Sequence, residues 1–199
     1  MQSVNAFLRR VPAWPIYIVS VAWFAWLFFQ ALTGAMGPDP VNELEHELGE
    51  IALQLMVVVL AITPARKYLG LNLIKYRRAL GLAVFFFVAM HLGVWLFLDV
   101  QIVAQIVQDI FKRPYITVGM VSFVLMIPLA ITSNNRSIRK LGPQVWNRLH
   151  KLTYAAVILG AVHNVMIQKV WEAEALVYLG LIAALLALRI RWVPRAAAA

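Results

Sequence analysis

The sequence contains no cysteine. That excludes disulfides, zinc–thiolate sites, iron–sulfur clusters and thiol catalysis, and it says little about compartment. Charge is scarce as well. Only 14% of the 199 residues are Asp, Glu, Lys or Arg, against 62% hydrophobic, and mean hydropathy is +0.77. A soluble domain is about a quarter charged and about half apolar, so this balance belongs to an integral membrane protein. Acids number nine against eighteen bases. In a chain this apolar, the net charge of +9 reports orientation in a bilayer and not nucleic-acid binding. No Gly-rich dinucleotide-binding loop is present. The opening MQSVNAFLRRVPAWPIY lacks a small-residue cleavage site after its first apolar run, so a retained helix is expected there, not a signal peptide.

What is present is apolar length. A bilayer core of roughly 30 Å needs about 20 apolar residues per helix. Six segments qualify: 14–33, 48–65, 79–98, 115–132, 152–169 and 175–193, with Pro128 placed to kink the fourth. Between the third and fourth, Ile102, Val103, Ile106, Val107, Ile110 and Phe111 fall at helical spacing, with Gln and Asp opposite. That pattern predicts a short interfacial helix at about 100–112, lying on the membrane surface. The expected fold is an all-α, six-transmembrane-helix bundle forming a single domain over 1–199.

Orientation follows from the bases. With the N-terminus inside, Arg9, Arg10 and the loops RKYLGLNLIKYRR and NNRSIRKLGPQVWNRLHK lie on the cytoplasmic side, together with the tail RIRWVPR. Of the eighteen Lys and Arg, only Lys112, Arg113 and Lys169 then fall outside, as the positive-inside rule expects. All nine acids take the outer side, and both termini lie inside. An acidic outer face suits docking of a partner, although such charges are usually solvated loop ends.

Four histidines stand out: His46, His91, His150 and His163. Ionisable residues at membrane depth are rare and functional by default; the plain alternative is a bond to a neighbouring helix's hydroxyl or carbonyl. His91 lies thirteen residues after Arg78, and His163 thirteen after His150. Both helices run outward, so each imidazole sits about 20 Å from the inner boundary. Two neutral imidazoles at matched depth suit a six-coordinate haem iron. Gly93 and Gly160 lie nearby, where they would let a flat macrocycle approach or simply allow close helix packing. Zinc fits worse without Cys or a nearby carboxylate, and HELGE at 46–50 lacks the second histidine of a zincin.

His150, near the inner boundary, has several readings: ligand of a second haem, partner of a propionate, quinone contact or helix cap. Arg78 stands at its depth on the third helix, where a second ligand would be wanted. Arg77 and Arg78 anchor a helix end at the headgroups, or hold propionates, a flavin phosphate or an acidic partner. His46 is read as exposed, in an outer loop. Trp14, Tyr17, Tyr68, Tyr76, Trp146 and Trp192 read as interfacial belt residues.

The stretches DPVNELEHELGEIALQLMVVVLAITPAR, YRRALGLAVFFFVAMHLGVWL and ITSNNRSIRKLGPQVWNRLHKLTYAAVILGAVHNVM resemble the MsrQ (YedZ) haem-binding membrane proteins of the ferric-reductase-like transmembrane group. The resemblance covers nearly the whole chain, through RRxLGL–x8–HL and LHKLxY–x8–H. It implies haem b, as one group or two, and FMN. It implies electron delivery from the respiratory quinone pool to a periplasmic molybdopterin-containing methionine sulfoxide reductase that repairs oxidised periplasmic proteins. His91 and His163 match the haem-ligand positions, His150 a third haem-related histidine, and Arg77 and Arg78 the paired arginines. Larger relatives carry two histidines on each of two helices and cytoplasmic flavin and nicotinamide domains. Here Arg78 replaces one histidine, and those domains are not seen.

The resulting expectation is an electron-transfer subunit in the bacterial inner membrane, without an independent catalytic site. Its donor is a membrane quinol or a cytoplasmic flavin reductase. Direct reduction of ferric chelates at the outer face is the alternative, and a non-redox channel or scaffold a third reading.

Overall fold

The computed structural model describes residues 2–168 and 172–189, all of whose regular structure is helical. The helices are α1 (Gln2–Arg10), α2 (Pro15–Leu32), α3 (Pro40–Leu69), α4 (Arg77–Val94), α5 (Val103–Lys112), α6 (Pro114–Ile131), α7 (Asn135–Leu149), α8 (Leu152–Ile167) and α9 (Ala173–Ala187). A 3₁₀ turn, Ile74–Tyr76, leads into α4, and a π-helical turn, Trp95–Val100, extends it. Four helical runs are long and apolar enough to cross a membrane: α2, α3, α4 with its flanking turns, and α6. The apolar α8 and α9 have 16 and 15 residues, or about 24 and 22 Å of helix. Lys169, Arg191, Trp192 and Arg195 lie outside the described residues.

The longest helix is α3, with 30 residues and about 45 Å of length. Pro40 opens it, the Asp39 side chain accepts from the Asn42 amide at 3.4 Å, and Gly70 ends it at φ +68°. Those are strong start and stop signals. The expected outer loop around His46 is therefore helix. Leu44 and Leu48, one turn apart and fully buried, pin this turn to the bundle. His46 itself is exposed.

Pro64 sits inside α3, where it cannot donate to the carbonyl four residues earlier. That carbonyl, Leu60 O, receives Arg189 Nη2 at 2.5 Å; the same nitrogen lies 3.4 Å from Val59 O. Arg189, read from sequence as one of a run of cytoplasmic cations, thus repairs the ladder of another helix.

The loop expected over NNRSIRKLGPQVWNRLHK forms α7, capped by Asn134 accepting from Ser137 N at 2.8 Å and bent at Gly142, whose φ is +75°. Arg9 and Arg10 end a separate helix, α1, tied to the loop before α4. Tyr76 Oη donates to Leu8 O and Val11 O at 2.8 and 2.9 Å, and Lys75 Nζ to Arg9 O and Val11 O at 2.8 and 2.6 Å. Tyr76 is buried and so is no belt residue. Trp14, Tyr17 and Tyr68 are exposed, as a belt requires.

The expected interfacial helix forms as α5, three residues shorter at its start because the chain leaves α4 through the π turn. Ile102, Val103, Val107 and Phe111 are exposed, the surface an interfacial helix gives to lipid. Asp109 is buried and pairs with Arg113 Nε at 3.3 Å.

Between lipid-soluble helices close packing replaces the hydrophobic drive. One core cluster joins α3, α4, α6, α8 and α9 through Met56, Leu60, Val84, Met126, Val157 and Ile182. A second holds α2 to α3 and α4 around Leu27, Leu48 and Phe87. Ser122 Oγ donates to Ala156 O at 2.8 Å, linking α6 to α8.

Candidate functional site

His91 on α4 and His163 on α8 face each other. Their ring centroids are 6.3 Å apart and their planes 76° apart. Each ring is fixed by the same device. His91 Nδ1 donates to the backbone carbonyl of Glu45 on α3 at 2.9 Å, and His163 Nδ1 to that of Tyr115 on α6 at 2.8 Å. A carbonyl only accepts, so Nδ1 carries the proton in each neutral ring and Nε2 keeps its lone pair. Among the described residues neither Nε2 has a hydrogen-bond partner.

This arrangement fits a metal between the rings. Their separation leaves room for an iron that His91 and His163 would hold through Nε2. Orienting Nδ1–H bonds to carbonyls are the usual companions of ligating histidines. No cluster of three or more His, Cys, Asp or Glu exists among the described residues to offer an alternative metal site.

Two further glycines lie against these histidines. A Cβ on Gly93 would meet nothing within 4 Å, and one on Gly160 would meet Met56 Sδ at 3.6 Å and Ser122 Oγ at 3.7 Å. Gly160 therefore serves helix packing. The close approaches belong to Gly49 and Gly119, whose Cβ atoms would lie 3.2 Å from His91 Nδ1 and 2.9 Å from His163 Nδ1. A glycine inside an apolar helix costs about 1 kcal/mol against alanine, which marks it for a packing reason. Ten glycines in the chain leave the sequence silent on which.

His150 does not join the pair. It caps the C-terminus of α7 instead of opening α8. Its Nε2 lies 3.0 Å from Thr132 Oγ1, and its ring stacks on Trp146 with centroids 3.7 Å apart and planes 23° from parallel. Trp146, expected at the lipid interface, donates its Nε1 to Thr132 O at 2.9 Å. Burial first, then the charges of Arg77 and Arg78, hold His150 below the ordinary histidine value.

Arg77, Arg78 and His150 do come together, lining one cavity of about 650 Å³ with Lys75, Trp146 and Lys151. Its deeper wall is apolar, built from Met56, Val84, Met126 and Val157. Volumes of this size with a few convergent polar groups are typical of cofactor sites. Arg78 Nη1 also donates to Asn135 Oδ1 at 2.7 Å, joining the starts of α4 and α7.

Residues 48–161 match the family described as the ferric reductase like transmembrane component. The chain is 46% identical over 178 residues to the protein-methionine-sulfoxide reductase heme-binding subunit MsrQ of Brucella anthropi, covering 89% of this chain and 80% of that protein. It is 44% identical over 185 residues to the proteins of the same name from Brucella ovis and Brucella suis, covering 91% of this chain and 84% of each.

Proposed function

The chain belongs to the MsrQ haem-binding subunits of the ferric-reductase-like transmembrane family, and on that premise we propose that it carries electrons across the bacterial inner membrane. Its acceptor is a periplasmic molybdopterin-containing methionine sulfoxide reductase. The observation that carries this reading is the opposed pair His91 and His163, with both Nδ1 atoms committed to carbonyls and both Nε2 atoms left for one iron. Haem b supplies one-electron oxidation and reduction when bound there. His91 and His163 would hold the iron, the carbonyls of Glu45 and Tyr115 would orient their rings, and the bundle would exclude water.

Six crossings, with α8 and α9 as the short ones, put both termini and the basic cavity inside. The gathering of Lys75, Arg77, Arg78 and Lys151 at one cavity supports that topology, because cytoplasmic ends collect Lys and Arg. The cavity is then the electron-uptake site. Its cationic rim suits a flavin phosphate such as that of FMN, or a haem propionate, through bidentate guanidinium contacts. Its apolar wall suits a quinone ring. With His150 Nε2 engaged by Thr132, Nδ1 is the ring nitrogen left for such a guest. That arrangement favours hydrogen bonding to a flavin or quinone over ligation of a second iron through Nε2. The donor is the quinone pool or a cytoplasmic flavin reductase.

Reoxidation kinetics test the reading. The dithionite-reduced protein in detergent or liposomes is mixed with the periplasmic partner and methionine sulfoxide. Rapid return of the oxidised haem spectrum, dependent on both, is expected. Equal reoxidation by ferric citrate with no partner, and none through the partner, would instead identify a ferric-chelate reductase.

A further inference from the structure

The two histidine seats share a construction whose consequence goes beyond ligation. In each, the ring donates to the carbonyl of one residue, and the residue one helical turn later is glycine. His91 rests on Glu45 and Gly49 of α3, and His163 on Tyr115 and Gly119 of α6. The carbonyl of residue i and the Cβ of residue i+4 lie on one face of a helix, one above the other. A side chain at i+4 would therefore occupy the ring's own position. The atom it would crowd most in both seats is Nδ1, the nitrogen that makes the hydrogen bond.

We propose that Gly49 and Gly119 are positioning residues that keep the Nδ1–H bonds of His91 and His163 intact and thereby hold down the reduction potential of the haem between them. The inference rests on the reading of these two histidines as the axial ligands. A ring whose Nδ1–H is donated to a carbonyl gives more electron density through Nε2, and a stronger donor favours ferric over ferrous iron. Lengthening that bond raises the potential. A Cβ at Gly119 stands 2.9 Å from Nδ1 and 3.0 Å from Cε1, so the ring must move; a Cβ at Gly49 stands 3.2 and 3.4 Å from the corresponding atoms, so a few tenths of an ångström suffice. The effect is graded, Gly119 above Gly49. Gly180, exposed on α9 with open space beside it, has none.

The test is an optical redox titration of the purified, haem-loaded full chain, with the low-spin ferric EPR signal recorded in parallel, on wild type, Gly49→Ala, Gly119→Ala and Gly180→Ala. Outer contacts to metal-bound histidine are commonly worth about tenfold in affinity. A tenfold loss confined to ferric haem in Gly119→Ala raises its midpoint by about 59 mV. Gly49→Ala is expected to shift less in the same direction, with altered EPR g values in both, and Gly180→Ala to match wild type. Wild-type midpoints and g values in Gly49→Ala and Gly119→Ala would overturn the inference, as would an equal shift in Gly180→Ala. If Gly119→Ala does not accumulate, the milder Gly49→Ala decides alone by the same criterion. His91→Ala and His163→Ala measured alongside separate the two ideas. Haem retained in both defeats the ligand reading, whereas haem lost in them with unshifted glycine variants defeats only the seats.

Discussion

Trp146 lies flat on His150, ring centroids 3.7 Å apart, while both bond to Thr132, one to its hydroxyl and one to its carbonyl. Trp146 and His150 line the basic cavity, where burial and the charges of Arg77 and Arg78 hold His150 below its ordinary value.

A pH dependence follows. The folded chain holds His150 below its ordinary value of 6.5, so between the two values the unfolded chain binds more protons. Stability therefore falls as pH drops through 6.5 towards the folded value. His150→Gln removes this contribution while retaining a donor for Thr132. Thermal melting in detergent from about pH 7.5 to about pH 5.5 is expected to show a smaller loss of Tm in the variant than in wild type. Equal losses would contradict it.

Arg189 and Pro64 should be coupled. Removing the guanidinium in Arg189→Leu leaves Leu60 O without its donor, at a cost of about 1.5–3 kcal/mol for a charged hydrogen bond. Pro64→Ala supplies an amide to that same carbonyl. The double variant is expected to be more stable than the sum of the single changes predicts, by about 0.5–3 kcal/mol in a double-mutant cycle. Additivity would mean that Arg189 acts elsewhere.

The packing of α8 on α3 and α6 gives a steric prediction. A Cβ at Gly160 makes only ordinary contacts with Met56 and Ser122, so Gly160→Ala is expected to melt within a few degrees of wild type. Gly160→Leu overpacks the same gap, at roughly 1–3 kcal/mol, and lowers Tm clearly. A neutral leucine variant would show that this contact is loose.

Much of this was legible in the chain because bilayer-length apolar runs and capping residues are local signals. Asp39, Pro40 and Gly70 bracket α3, and thirteen-residue spacings bring His91 and His163 level. Other features were hidden because they depend on neighbours distant in sequence. The seats of His91 and His163 are glycines 42 and 44 positions away. Arg189 reads as one more positive-inside cation until Pro64 orphans Leu60 O. α7 escaped because a polar, surface-lying helix has no long apolar run, although Asn134 was a readable cap. His46 was misplaced for a similar reason: the acids around it resemble a loop, and the Leu44–Leu48 stripe that buries that turn is only two residues wide.

The most direct measurement is the oxidised and dithionite-reduced visible spectrum, with haem per chain, of the purified wild type and of His91→Ala, His150→Ala and His163→Ala. The expected result is a six-coordinate b-type spectrum that is lost in the first and last variants. In His150→Ala that spectrum should persist, and a fractional loss of haem would mark a second group in the basic cavity. A colourless wild type after haem-supplemented expression, or undiminished haem in both His91→Ala and His163→Ala, would contradict the account.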